Sequence, residues 1–416
     1  MLPPLSTEQV IERTVREEWG RILASLASGL NDLQLAEDCL QEAVISAMDH
    51  WGRNGLPRSP SAWLIIVARR KALDKLRRAQ NFARKENEIA YLLELENRPL
   101  DDPMTETIPD KRLEMIFTCC HPALERKSQV ALTLRTLGGL STDEIAAAFL
   151  DKPSSMQKRI TRAKQQIARG GIPYEVPQDA DLPERISTVL SVLYLIFNEG
   201  YSANSGTTVL RSDLSGEAIR LTRIIVALLP NDCEAAGLLA LMLLHDSRRN
   251  ARVGPAGEII ALEDQNHKRW DRDKIQEGVA ILKETLPKQG IGPYQIQAAI
   301  SAVHAQSPAW EQTDWAEIVA LYELLFAMQP TSVVQVNLAV AVSYAQTPDA
   351  ALVIMEKVAT AAKIQSYQPY YAAMGNLLAR AGRITEAKVS FENAIELSEN
   401  AQEIAFLKNA ARRLLH

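Results

Sequence analysis

Apolar residues return every three or four positions along almost the whole chain. Near the start, Ile22, Leu23, Leu26, Leu30 and Leu33 share one side of a helical projection, and similar stripes continue to the end. The period-two alternation of a half-buried strand is nearly absent, so the pattern predicts an all-α protein. Two stretches break it. Between residues 97 and 109, Pro99, Pro103 and Pro109 stand among Asp101, Asp102 and Glu106; between 170 and 183, Gly170, Gly171, Pro173, Pro177 and Pro183 interrupt the period. Proline removes a helical donor and clashes with the preceding turn, so neither stretch sustains a helix. The expected organisation is a first domain at 1–90, a linker at 91–109, a second domain at 110–172, a linker at 173–182 and a helical extension at 183–416. A chain of 416 residues is long enough for several cores.

Two helix starts stand in series in the second domain. Ser141 with Glu144 has the spacing of a capping box, and Ile145, Ala146 and Phe149 form the inward face of the short helix that follows. Ser154 with Gln157 repeats the signal after Pro153. In the helix it predicts, Met156, Ile160, Ala163 and Ile167 share one face. The other face carries Gln157, Lys158, Thr161, Arg162 and Gln165, flanked by Arg159 and Lys164, with no acid between Asp151 and Glu175. Arginine and lysine reach guanine edges, glutamine pairs with adenine, and a helix N-terminus favours phosphate, so the helix suits a major groove. A single basic helix is also what a plain solvated face looks like; two capped helices in series favour the groove reading.

In the first domain, Asn31 or Asp32 caps a helix that runs through Ala36-Glu37-Asp38-Cys39-Leu40-Gln41-Glu42-Ala43 to Trp51, acidic and polar on one side, as a protein-binding face would be. Pro57 and Pro60 make a turn, Ser61 is a candidate cap, and the helix at 63–78 begins apolar and ends basic. From Arg69 to Lys85 only Asp74 opposes Arg69, Arg70, Lys71, Lys75, Arg77, Arg78, Arg84 and Lys85, a run that attracts a phosphate backbone. Trp63 stands beside it, either as an aromatic for unstacked bases or as a core residue.

The net charge of −5 restricts nucleic-acid contact to such local patches. The longest apolar stretches, 189–197 and 237–244, fall well short of the roughly 18 residues of a membrane span. The N-terminal residues lack the pattern of a secretory signal, which leaves a cytoplasmic expectation with no membrane partner. Four cysteines without a CxxC pair do not make a disulfide framework. Cys119 and Cys120 project about 100° apart on a helix, so with His121 they do not converge on one metal ion. His267, Arg269 and Asp271 read either as a polar pocket or as a hydrogen-bonded structural histidine with its neighbours. No Walker A loop or dinucleotide fingerprint is present. No catalytic residue, metal or cofactor is expected.

Taken together, these residues resemble the extracytoplasmic-function (ECF) sigma factors of bacterial RNA polymerase. The Ala36–Ala43 motif and the helix at 63–78 match the first domain of that family. Leu140-Ser141-Thr142-Asp143-Glu144-Ile145-Ala146 and Arg159-Ile160-Thr161-Arg162-Ala163-Lys164 match its helix-turn-helix domain. Phe117-Thr118-Cys119-Cys120-His121-Pro122-Ala123-Leu124, the motif at 193–201 and the long extension are similar to the subgroup called ECF42. The resemblance implies a non-enzymatic factor that directs promoter-specific initiation. Asp38, Gln41 and Glu42 would bind core RNA polymerase, whose β′ clamp and β flap regions are the implied partners. Trp63, Arg69, Arg70, Lys75, Arg77 and Arg78 would contact and open the −10 element of promoter DNA. Ser155, Gln157, Lys158, Arg159, Thr161, Arg162 and Gln165 would read the −35 element. The turn Asp151-Lys152-Pro153 departs from the family's small glycine turn and places a negative charge near DNA. In the extension, Gly375, Leu378, Ala387, Phe391 and Ala394 resemble a tetratricopeptide (TPR) hairpin over 370–400, with a more degenerate unit over 315–348. Such units offer a concave surface to a protein or peptide; a helical domain that only packs fits the same pattern. An extension of this size, with no membrane anchor beside it, is expected to regulate polymerase engagement in cis.

Overall fold

The computed structural model describes residues 6–78, 110–149, 151–202, 210–254, 258–288, 290–359, 364–398 and 401–414. The linker at 91–109, the acidic break at 97–109 up to Pro109, and Arg84 and Lys85 lie outside the described residues. The chain is all-α. Among the described residues, β pairing is limited to an isolated bridge between Val253 and Ile259. Two compact units divide it, Met1–Glu199 and Gly200–His416.

The first unit opens with three long helices, α1 (Thr7–Leu30), α2 (Leu33–Asn54) and α3 (Pro60–Arg78). A capping box of Ser6 and Gln9 starts α1, Asn31 ends it at φ 50°, and Asp32 caps α2 by accepting from the Leu35 amide. Leu23, Leu26, Leu40, Trp51, Leu64 and Leu73 fill the space between the three helices. Four shorter helices follow: α4 (Arg112–Cys119), α5 (Arg126–Thr136), α6 (Thr142–Ala148) and α7 (Pro153–Gly170). The Ser141–Glu144 capping box is formed on both sides. Ile145, Ala146, Met156, Ile160, Ala163 and Ile167 are buried, which closes the helix-turn-helix on the face its spacing indicated.

Two expected caps are corrected. The helix α7 begins at Pro153 with Lys152 as an N-cap that makes no side-chain bond, and α3 begins at Pro60, so neither Ser154 nor Ser61 stands at a cap. Proline at the first helical position surrenders a donor that has no partner there anyway, and its fixed φ suits the helix.

The four-helix lobe packs on α1 through α4 and α5. Gly20 makes this possible: a Cβ there would stand 2.7 Å from the backbone oxygen of Leu137. Next to it, Gly139 at φ 71° lies against the Trp19 ring. The last helix to begin in this unit, α8 (Leu182–Ser202), is tied to the same lobe by Arg185, which donates to the Phe117 carbonyl at 2.7 Å.

The second unit stacks consecutive helices, each on the next: α9 (Leu210–Leu228), α10 (Cys233–Asp246), α11 (Arg272–Thr285), α12 (Pro293–Gln306), α13 (Trp315–Met328), α14 (Ser332–Ala345), α15 (Pro348–Val358), α16 (Gln368–Arg380), α17 (Ile384–Glu396) and α18 (Ala401–Arg413). The apolar stretch at 237–244 lies in α10, which is buried on every side and contacts α9, α11 and α12. The region read as a hairpin over 370–400 is α16 and α17, joined by a turn with Gly382 at φ 76°. There Gly375 lies against the ring of Phe391.

Candidate nucleic-acid interface

Three helices of the first unit carry the expected contact residues. On α2, Gln41, Ile45 and Met48 follow one another at helical spacing and face solvent, Ile45 and Met48 being 66% and 56% exposed. Among the described residues of the first unit they are the most open large apolar side chains. Asp38 is half-buried and accepts from Gln34 Nε2 at 2.8 Å. Glu42 joins this face to α3, pairing with Lys75 at 2.8 Å and Lys71 at 3.8 Å. The hydrogen bond from Lys75 holds the Glu42 carboxyl below its ordinary range.

On α3, Arg70, Arg77 and Arg78 are exposed, whereas Lys75 is engaged by Glu42 and Arg69 reaches Ser25 Oγ on α1 at 3.4 Å. Trp63 is half-buried. Its ring stacks on His50 with centroids 5.5 Å apart and meets Trp51 edge-on at 5.4 Å, so in this geometry it packs against α2.

On α7, Ser155, Gln157, Lys158, Arg162 and Gln165 are exposed and Thr161 is half-buried. Gln157 accepts from Thr142 Oγ1 at 3.1 Å, which links the two helices of the helix-turn-helix. Arg159 turns back to Asp151 at 2.9 Å. The departure in the turn thereby has a local partner: Asp151 neutralises Arg159, and hydrogen bonds from the Lys152 amide and Arg159 hold its carboxyl below the usual carboxylate range.

Lys164, expected to flank the basic face, points the other way. It is buried against Glu37 of α2 and donates to Gln34 Oε1 at 3.0 Å. Arg135 of α5 donates to the same Glu37 carboxylate from Nε at 2.7 Å, and Gln41 adds a bond at 3.3 Å. Glu37 is only 3% exposed. Spacing marks it as a member of the open stripe, since Gln41 lies four and Met48 eleven positions on, about 40° and 20° away in projection. It is buried because the four-helix lobe covers it. Reading each domain alone missed this cluster, although Lys164 is four residues from Ile160 and three from Ile167, on the apolar side of its helix.

The other polar candidates have local structural partners. Cys119 contacts Thr136 Oγ1 at 3.2 Å and Cys120 contacts Thr133 Oγ1 at 3.6 Å, and burial pushes the Cys120 thiol up to about 12. His121 Nδ1 accepts from the Ala123 amide. His267 stacks on Trp270 at 4.0 Å and its Nδ1 lies 3.1 Å from the Ser307 carbonyl, while Asp271 caps α11. Of the two readings of that segment, the structural histidine is the one the geometry supports.

Family comparisons match this layout. Residues 15–82 match the model of sigma-70 region 2, and residues 114–167 match that of sigma-70 region 4. Over 388 residues the chain is 42% identical to the uncharacterized protein R00370 of Rhizobium meliloti (strain 1021), covering 93% of this chain and 91% of the relative. The chain belongs to the family of that relative. It is an ECF-type sigma factor with a C-terminal extension. Its region 2 spans α1 to α3, and its region 4 takes in α4 to α7. The extension includes residues 185–286, which match a family of unknown function, DUF6596, over α8 to α11. No solved structure matches the chain. Among the described residues, no helix of the sigma factor is long and apolar enough to cross a membrane.

Proposed function

We propose that this sigma factor docks on core RNA polymerase through the exposed stripe of α2 and uses α3 and α7 to hold the −10 and −35 elements. The observation that carries the reading is the open pair Ile45 and Met48, set beside Gln41 and Asp38 and next to an arginine-bearing helix. An apolar stripe with polar margins is what a partner helix pair recognises, and the polymerase β′ clamp, with the β flap for region 4, is the partner assigned by resemblance. Arg70, Arg77 and Arg78 supply phosphate contacts near the −10 element, with Trp63, Arg69 and Lys75 beside them. Lys158, Arg162, Gln157 and Gln165 face a major groove at −35, where each bidentate base contact discriminates by about 1–3 kcal/mol.

The extension is assigned a regulatory role in cis, as an ECF42-like, TPR-like module in a cytoplasmic protein. A groove of about 830 Å³ supports a partner-binding role; it is lined by Glu258, Glu263, Arg380, Phe391 and Phe406 and fits a protein or peptide segment. Footprinting tests the reading. The chain alone should protect duplex promoter DNA weakly, and with core polymerase it should protect both elements and open the strands. Full protection of duplex by the chain alone, unaltered by core enzyme, would make it a DNA-binding regulator of another kind.

A further inference from the structure

A short motif recurs in the extension at a spacing that places both copies on one groove. Ala372, Asn376 and Arg380 stand at successive turns of α16, and Ala405, Asn409 and Arg413 repeat the same types and steps on α18. Residues four apart share a helix face, and all six line the cleft of about 830 Å³. The copies are neighbours, because Ala372 of α16 and Ala410 of α18 pack on the same cluster of Phe391, Ala394 and Leu407. Asn376 and Asn409 are both exposed, and among the described residues neither has a hydrogen-bond partner. Asparagine is a poor residue for a helix interior, since its side chain competes for backbone bonds. Two of them at equivalent positions facing one cleft do nothing for the helices that carry them.

The charges on the same cleft are unequal. The segment at 258–264 contributes the carboxylates of Glu258, Glu263 and Asp264, against the guanidiniums of Arg380 and Arg413. Arg380 is committed within its own unit: it lies 3.8 Å over the Tyr344 ring and donates to Ser343 Oγ at 2.6 Å and to the Ser343 carbonyl at 3.0 Å. Arg413 stands 79% exposed, 3.8 Å from Asp264. The rim left open to a ligand is therefore acidic.

We propose that this cleft holds an extended basic peptide, with the Asn376 and Asn409 carboxamides as paired clamps on its backbone. The proposal rests on the partner-binding role of the groove given above. A carboxamide carries both an acceptor and donors, so it bonds the N–H and C=O of a peptide unit whatever the side chain there. The acidic rim then selects lysine or arginine on the strand. Packed helices stand about 8–10 Å apart and a strand advances ~3.3 Å per residue, so the two clamps meet one peptide at positions two or three residues apart.

The full chain is presented with an immobilised library of random nine-residue peptides, and captured sequences are resynthesised with fluorescein for polarisation titrations. Asn376→Ala and Asn409→Ala change exposed helix positions to the better helix former, and circular dichroism verifies that each variant is folded. Captured peptides should be enriched in lysine and arginine, and Glu263→Gln with Asp264→Asn should remove that preference. Each alanine variant should weaken binding by up to about tenfold, and so should N-methylation of the peptide at two positions, two or three residues apart. Binding unaltered by both alanine variants overturns the clamps and leaves the groove a partner site of another kind. Enrichment of aspartate and glutamate overturns the basic occupant. If no peptide is captured, the proposal falls together with the partner-binding role of the groove. None of these readouts involves polymerase, so the docking of α2 and the promoter contacts of α3 and α7 are tested separately.

Discussion

Lys75 Nζ lies 2.8 Å from Glu42 Oε1, so the helix proposed to meet polymerase and the helix proposed to meet the −10 element are joined by an ion pair. Both side chains are more than a third exposed, which limits the pair to less than about 1 kcal/mol. The sign of its pH dependence follows from Glu42, whose folded pKa is lowered from 4.5 chiefly by the Lys75 hydrogen bond. That stabilisation is present above 4.5 and is lost as pH falls through the lower folded value. Glu42→Gln should therefore cost under about 1 kcal/mol in urea unfolding at pH 7, with the difference from the parent shrinking as pH falls below 4.5.

Ile45 and Met48 make no contribution to the core that their exposure would allow. Ile45→Asp and Met48→Asp should leave stability within about 0.5 kcal/mol, as for ordinary surface changes. Each should weaken binding to core polymerase by about tenfold or more, the loss expected for a central apolar anchor. Titration of labelled core enzyme, paired with denaturant melts, separates the two effects.

Lys158→Ala and Arg162→Ala should act on DNA and not on polymerase. Each should reduce promoter use; where the lost contact is to phosphate, the slope of log affinity against log salt should shrink by about 1. Equal defects in core binding would contradict the division of labour between α2 and α7.

Short-range features of these helices were legible in the chain, and long-range ones were not. The Ser141 cap and the buried face from Met156 to Ile167 depend on residues a turn apart, and spacing is enough to find them. Pro60 and Pro153 were read as ends of loops when they are first residues of helices, because proline's missing donor is harmless only at that one position. Glu37 and Lys164 are separated by 127 residues. Each sat in a motif read as outward-facing; what decides their burial is the packing of region 4 on α1, which helical periodicity does not encode. In the extension, by contrast, the Gly375 and Phe391 contact was visible in the small-to-large alternation along α16 and α17.

His304 gives the second unit an acid sensitivity. It is packed between Trp310, stacked at 5.8 Å, and Trp315, edge-on at 5.2 Å, and burial lowers its pKa from 6.5 to about 4. The unfolded chain then binds more protons than the folded one between these values. Stability is full above 6.5 and declines as pH falls, by up to about 2 kcal/mol at pH 5 from this residue. Replacing His304 with Gln should flatten that slope in thermal melts at pH 5 and 7, and an unchanged slope would assign the sensitivity elsewhere, with His245, whose pKa desolvation also lowers, the next candidate.

Run-off transcription with purified core polymerase tests the central claim most directly. The full chain should direct the enzyme to a defined start site on its own promoter, and Ile45→Asp should abolish that product while leaving the chain folded. A core enzyme that gains no start site from the chain at any concentration would contradict the account.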